Sequence, residues 1–379
     1  MVFTAIIAVF SLGYLLFHLY IHRGLVPRPP EKTVSWGKKV SIIVAARDEE
    51  QHITYCLGSL LKQTYPREWM EIIVVDDHSS DRTGEFARAC AAKYSKILVL
   101  DAPPVQPGQS PKKAALAAGI AQAHGDFLLF TDADCAVPPK WVELIVRAFE
   151  SDADVIASWV LPLEEKSLQS QIELLDTLAL QLVGASAMQQ DRPFLGNGAN
   201  LAYRRKVYYR AGGFQGINAL GSGDDDLMLQ KLAAADEGVR CRFLFDAEAV
   251  VTTGINATWK DFFQQRRRWS SKISAYPTPL RLLELSIFCY YLLLLLVIPL
   301  APFSLAPWWL FPPALGLKLL LDARLIRRGL KLVGRPFTWL SFLLASALHL
   351  CYIPVIGILS LSGRFTWKGR EYRKGGLVS

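Results

Sequence analysis

The chain has 379 residues, 51% of them hydrophobic and 20% charged, with an excess of eight positive charges. It is too apolar for an ordinary soluble enzyme and too charged for a bare membrane bundle, and its length allows one large domain or two ordinary ones. The six cysteines, at 56, 90, 135, 241, 289 and 351, form no CxxC pair or close cluster, so neither a zinc site nor a disulfide framework is indicated.

Residues 2–20, VFTAIIAVFSLGYLLFHLY, are long and apolar enough to cross a hydrocarbon core of roughly 30 Å. No basic stretch precedes them and no small-residue cleavage site follows, so residues 1–22 read as a retained anchor rather than a signal peptide. His22, Arg23, Arg28, Lys32, Lys38 and Lys39 come next. By the positive-inside rule they leave the N-terminus outside and the following segment in the cytoplasm.

That segment, residues 36–254, alternates β-branched runs with helical periodicity. Strands are predicted at 40–45, 71–77, 96–101 and along DFLLFTDAD (126–134), with helices across 52–62, near 83–93 and over 112–123. The alternation predicts an α/β domain of the doubly wound type, built on a parallel sheet. In such sheets the ligand lies beyond the carboxyl ends of the strands. Those ends are ARDEE, DDHSSD, DAPP and TDADC, all polar and three markedly acidic. No Gly-rich turn follows the first strand, which weighs against a dinucleotide and hydride transfer. Carboxylates there suit a base, a ribose or a hard divalent cation.

Several stretches concentrate chemistry. TDADC puts Asp132 and Asp134 on one side of a strand end, whereas SDAD at 151–154 repeats the spelling without a strand before it. Lys112 and Lys113 open a helix, where lysines are ordinarily solvated but can also meet phosphate oxygens. FLGNGANLAYRR (194–205) is a glycine-rich loop ahead of a predicted helix. GSGDDDLMLQKL (221–232) carries Asp224, Asp225 and Asp226 before an apolar-periodic stretch. A helix N-terminus favours acidic residues, but three adjacent carboxylates exceed that need and raise at least one pKa. QQRRRWSSK (264–272) lies in a basic amphipathic stretch, 255–280, that reads as interfacial.

Residues 281–363 hold three more apolar segments, at about 282–301, 304–321 and 337–361, before a basic tail over 364–379. DARLIRRGLKLVGR, between the second and third, is strongly basic and reads as cytoplasmic. Three simple crossings would then leave the tail outside, against the rule. Either Pro354 breaks the last segment into a re-entrant pair, or one segment lies in the interface.

In order and spacing, VSIIVAARDEE, IIVVDDHSSDRT, PKKAALAAGI, FTDADC, GSGDDDLMLQKL and QQRRRWSSK resemble family 2 glycosyltransferases over about residues 40–275. The likeness is to the membrane-embedded, inverting branch of cellulose, hyaluronan and poly-N-acetylglucosamine synthases. Proline and asparagine are commoner in that family where Ala45 and Asp48 stand. The resemblance implies a GT-A-like, nucleotide-sugar-binding domain flanked by transmembrane helices. It gives Asp77 and Glu49 to the nucleoside of a UDP-sugar, Lys112 to the diphosphate, and Asp132 and Asp134 to Mg²⁺ or Mn²⁺. Asn200 would line the sugar pocket, while Gln265 and Arg268 face the diphosphate and Trp269 the acceptor sugar. The acceptor's base falls on Asp225, with Asp224 in the place of the usual glutamate; a one-residue shift would select Asp224 instead.

The resulting expectation is an integral protein of a bacterial inner or plasma membrane with a cytoplasmic catalytic domain. It would act on a glycan or lipid-linked acceptor amid membrane lipids, with export or assembly partners and no nucleic acid. A single-addition glycolipid-forming enzyme competes with a polysaccharide synthase, and an inactive nucleotide-sugar-binding scaffold is the reading from another class.

Overall fold

An unbroken apolar run makes the first helix of the computed structural model, α1 (Val2–Gly24). The structure describes residues 2–27, 36–106, 108–163, 167–235, 238–303, 308–360, 362–373 and 376–378. Arg28 and Lys32 of the basic flank, residues 304–307 of the second C-terminal segment, and Lys374 and Gly375 of the tail lie outside them.

Runs that are apolar on both faces must be covered on both faces, and the first half of the domain follows that logic. It comprises β1 (Val40–Ala46), α2 (Ile53–Leu60), β2 (Met70–Asp76), α3 (Thr83–Ala91), β3 (Ile97–Asp101), α4 (Pro111–Ala121) and β4 (Phe127–Phe130). Ile43, Ile73 and Leu128 pack on one side with Ala115 and Ile120 of α4. Ile42, Val44, Ile72 and Val74 pack on the other with Leu57 of α2. The four strands pair in parallel in the order β3-β2-β1-β4. Their register sets Ala46 opposite Asp76 and Asp76 opposite Asp101, so the polar ends align along one edge.

The second half departs from the all-parallel expectation. It continues through β5 (Cys135–Ala136), α5 (Trp141–Glu150), β6 (Val155–Ser158), β7 (Val160–Pro162), α6 (Leu168–Gln189), β8 (Leu201–Arg204), α7 (Arg205–Arg210), α8 (Asp226–Ala234), β9 (Cys241–Leu244) and β10 (Val251–Thr253). β8 runs antiparallel to both β4 and β6, giving a seven-stranded mixed sheet, β3-β2-β1-β4-β8-β6-β9. A small second sheet, β5-β10-β7, covers the end of the TDADC turn. The other DxD spelling is a turn: Asp152 pairs with Arg240 and Asp154 with Arg204.

Four long helices complete the chain: α9 (Trp259–Ser270), α10 (Thr278–Leu300), α11 (Phe311–Leu332) and α12 (Trp339–Ser360). A hairpin, β11 (Arg364–Trp367) with β12 (Arg370–Arg373), and a short β13 (Gly376–Leu377) end it. Helices over 3–24, 278–303 and 339–360 are long and apolar enough to cross a membrane. The segment expected to span at 304–321 starts later and runs helically through the basic stretch to Leu332, carrying a buried Lys318–Asp322 pair.

α6 joins these helices to the domain. A Cβ on Gly24 would sit 2.3 Å from the Ser186 carbonyl oxygen, so only glycine lets α1 approach α6 this closely. α12 is continuous across Pro354, which excludes a break there. It is held along its length by α6 and α9: Ser341 meets Gln171, His349 and Tyr352 meet Asp176, and Ser362 just beyond it meets Arg267. The tail therefore lies beside the domain.

Candidate active site

The loops after β1 and β2 hold one end of the site. Asp48 and His78, at φ 50° and 54°, adopt the left-handed region that non-glycine residues rarely occupy. Asp48 is held there by the Ser80 backbone N–H (2.7 Å) and hydroxyl (3.1 Å), while its own N–H donates to Ser79. This lacing fixes Glu49 and Asp77 side by side, and both line a cavity of about 630 Å³ over the strand ends. Basic groups from the C-terminal hairpin meet them. Lys368 Nζ lies 2.7 Å from Glu49 Oε1, and Arg370 forks onto both carboxylate oxygens of Asp77. Arg47 donates to the Asp77, His78 and Lys368 carbonyls, tying the hairpin to the β1 and β2 loops.

At the centre, Lys112 Nζ bridges Asp132 (2.9 Å) and Asp224 (2.8 Å), joining the TDADC turn to the acidic triplet. Burial works against the Lys112 charge, but the two carboxylates outweigh it and hold the ammonium above the usual lysine range. Burial likewise pushes Asp132 up against the pull of Lys112, whereas Asp224 ends below the ordinary carboxylate range because Lys112 prevails. Asp134 accepts from the Cys135 thiol (3.3 Å) and the Thr253 hydroxyl (3.4 Å). Among the described residues no three His, Cys, Asp or Glu side chains converge as a complete metal cage. Two neighbouring carboxylates do fit Mg²⁺ or Mn²⁺, which take oxygen ligands and share their remaining positions with water and phosphate.

The acidic triplet separates into three environments. Gly223, at φ +82°, makes the turn before it. Asp225 caps α8, its Oδ1 accepting from the Asp226 N–H (2.7 Å) and lying 3.2 Å from Lys272 Nζ. Asp226 is wholly buried, paired with Lys272 (2.7 Å) and bonded by the Tyr276 hydroxyl. Burial, reinforced by Asp225, pushes Asp226 up to about 7, although Lys272 opposes it. Burial also disfavours ionised Asp225, yet Lys272 and the Asp226 N–H hold it well below the usual range. Lys113, read above as ordinarily solvated, is instead buried. It donates to the Ile217 (2.7 Å), Leu220 (2.8 Å) and Ser222 (2.8 Å) carbonyls, so it braces the loop that carries the triplet.

Replacing Lys272 by methionine leaves buried Asp226 and partly exposed Asp225 without their cation and is expected to cost about 3–5 kcal/mol, read by urea unfolding in detergent. In the folded fraction Asp225 takes up its proton at higher pH than before. Any acid limb that Asp225 contributes to kcat/KM therefore moves upward.

Capped by Thr258, α9 brings Gln265, Arg266, Arg268 and Trp269 to the cavity wall. Arg268 stacks on Trp367 of the hairpin, 5.3 Å from the ring centre, and Arg266 on Trp269 at 4.2 Å. Arg266, not singled out in the sequence, forms a buried pair with Asp176 of α6. Burial disfavours the Asp176 charge, but Arg266, His349 and Tyr352 keep it below the carboxylate range.

Ten of the eleven residues singled out line this one cavity: Glu49, Asp77, Lys112, Asp132, Asp134, Asp224, Asp225, Gln265, Arg268 and Trp269. Asn200 is the correction. Its side chain is buried, accepting from the Trp141 indole (2.8 Å) and donating to the Trp159 and Ala249 carbonyls (both 2.9 Å), so it braces the sheet and does not reach the wall. Asn197 and Gly198 of the same loop do.

A parallel half-sheet with acidic strand ends, extended by an antiparallel strand and a second acidic loop, defines a GT-A-like glycosyltransferase. The pattern described as "Glycosyl transferase family 2" matches residues 41–211 and "Glycosyl transferase family group 2" residues 127–321, and the chain belongs to this family. It is 29% identical over 236 residues to "Probable glycosyltransferase YdaM" of Bacillus subtilis, covering 61% of this chain and 54% of YdaM. Over 104 residues it is 36% identical to "Glycosyltransferase AglE" of Haloferax volcanii, covering 27% of this chain and 33% of AglE. The matches thus span about half of one relative and a third of the other. The structure of the mannosyltransferase PcManGT from Pyrobaculum calidifontis, in complex with GDP-Man and Mn²⁺, superposes over 95% of this chain and 94% of its own. At a TM-score of 0.53 and 17% identity, that likeness shows the shared fold.

Proposed function

We propose that the chain moves a sugar from a UDP-sugar to an acceptor hydroxyl at a membrane surface, inverting the anomeric centre. The observation that carries this reading is the single cavity shared by the strand-end carboxylates, the acidic triplet and the α9 cations. Glu49 and Asp77 hold the nucleoside, and Lys112 and Arg268 the diphosphate. Asp132 and Asp134 hold Mg²⁺ or Mn²⁺, which supplies charge neutralisation to the departing diphosphate. Asp225, kept ionised by Lys272, receives the acceptor's proton as its oxygen attacks. The catalytic domain lies on the cytoplasmic side of the membrane, with the basic tail beside it.

Single addition is favoured over polymer synthesis and export. Among the described helices only three are apolar enough to cross a membrane, a sparse wall for a polymer channel. The test is a panel of UDP- and GDP-sugars supplied to purified membranes, followed by mass analysis of the product. Nucleotide release should need Mn²⁺ or Mg²⁺, cease with EDTA and cease in the Asp132→Asn, Asp134→Asn double variant. A chain that bound nucleotide without any release would be the inactive scaffold instead.

A further inference from the structure

The cavity does not stop at the acidic triplet. It continues between α1, α6, α10, α11 and α12, where Leu175, Ile287, Leu325, Phe342, Ala345 and Ile353 line it. We propose that this apolar arm holds the hydrocarbon chain of the acceptor, a membrane lipid whose reacting group is a neutral hydroxyl received at Glu284. The proposal rests on the transferase reading above and names its acceptor class.

Three observations point to a lipid chain. The arm is continuous with the carboxylates, so whatever fills it carries its head to Asp225. Three of its five wall helices, α1, α10 and α12, are long and apolar enough to cross a membrane. The six wall residues named offer no side-chain donor or acceptor, and polar groups beside them are engaged with one another, Tyr14 and His18 with Asp322 and His349 and Tyr352 with Asp176, whereas a growing glycan would bring hydroxyls needing partners of their own.

The head group follows from charge. Glu284 lines the cavity about two turns into α10, and its Oε2 is buried with no hydrogen-bond partner among the described residues. A hydroxyl donor satisfies it. A phosphate head would instead face Asp224, Asp225 and Glu284, while Lys272 is already shared by two carboxylates. In the transfer the lipid oxygen bonds to the anomeric carbon as that carbon's bond to the diphosphate oxygen breaks. The hydroxyl, bonded to Glu284 on arrival, turns its one proton to Asp225, which takes it as the oxygen attacks, and the nucleoside diphosphate leaves with the electron pair.

The test uses the full chain in detergent, after the donor has been identified by nucleotide release into water. With n-alkanols of two to eight carbons as acceptors, kcat/KM is expected to rise about fourfold per methylene. A photoreactive hexadecanol should label α10 and α12, mapped by peptide mass spectrometry. Ala345→Trp and Ile287→Trp plug the arm from different helices, and each should cut labelling at least tenfold while nucleotide binding reports an intact fold. A flat chain-length series, or labelling indifferent to both plugs, overturns the proposal. Turnover confined to a polyisoprenyl phosphate overturns the neutral head. Plug-sensitive labelling in a chain that binds no nucleotide sugar would sink the transferase reading and leave the lipid arm standing.

Discussion

Asp225→Asn is expected to lower kcat about 10²- to 10⁴-fold, the usual worth of a positioned base, while nucleotide affinity stays within a few-fold of the parent. The substitution keeps the shape of the side chain and an oxygen able to cap α8, so the fold should survive it. The Asp226 N–H and Lys272 both meet the carboxylate at Oδ1, and the residue lines the cavity. Asp226 is sealed behind it by Lys272 and Tyr276. Asp224 is committed to Lys112, so Asp224→Asn should act mainly on donor KM by loosening the lysine that also holds Asp132. Steady-state kinetics with calorimetry of nucleotide binding separates the two. If Asp224→Asn abolished kcat and Asp225→Asn spared it, the base would lie one residue earlier.

How much of this could be read from the sequence depended on whether a signal was local. β1 and β2 declare themselves because their runs are apolar on both faces, and the acidic ends that follow are contiguous with them. The antiparallel placement of β8 is not local: LAYR reads equally well either way, and only its pairing with β4 and β6 decides. Asn200 misled for a related reason. Its neighbours Asn197 and Gly198 do face the cavity, but the bonds that turn Asn200 inward come from Trp141, Trp159 and Ala249, all distant in sequence. Lys113 reads as a solvated cation and Lys272 draws no notice, because their partners are backbone carbonyls and a triplet far along the chain. For Arg266 a weak signal exists: an aspartate, Asp176, set among leucines in LLDTLAL (174–180) must find a cation if that face is buried.

The C-terminal tail, legible in the sequence only as a basic stretch, carries the second large effect. Arg370→Ala is expected to raise the donor KM roughly tenfold or more, leaving the acceptor KM unchanged, and removal of residues 364–379 should do the same. Asp77 is 3% exposed and its carboxylate is gripped on both oxygens by Arg370, so without the guanidinium it becomes a buried, unpaired charge. Such a group protonates or turns away, and either change spoils it as an acceptor for a base N–H. A carboxylate forked by arginine still has lone pairs to offer, so the pair can orient Asp77 without blocking the nucleoside. Lys368 on Glu49 and Trp367 under Arg268 extend the same roof. Arg370→Lys should recover only part of the loss, because an ammonium cannot grip two oxygens in a plane. A double-mutant cycle of Arg370→Ala with Asp77→Asn should show coupling of about 1 kcal/mol or more, as residues in direct contact do. If truncation lowered the donor KM instead, the hairpin would be a plug that the nucleotide must expel, and Arg370 a competitor for Asp77 rather than its support.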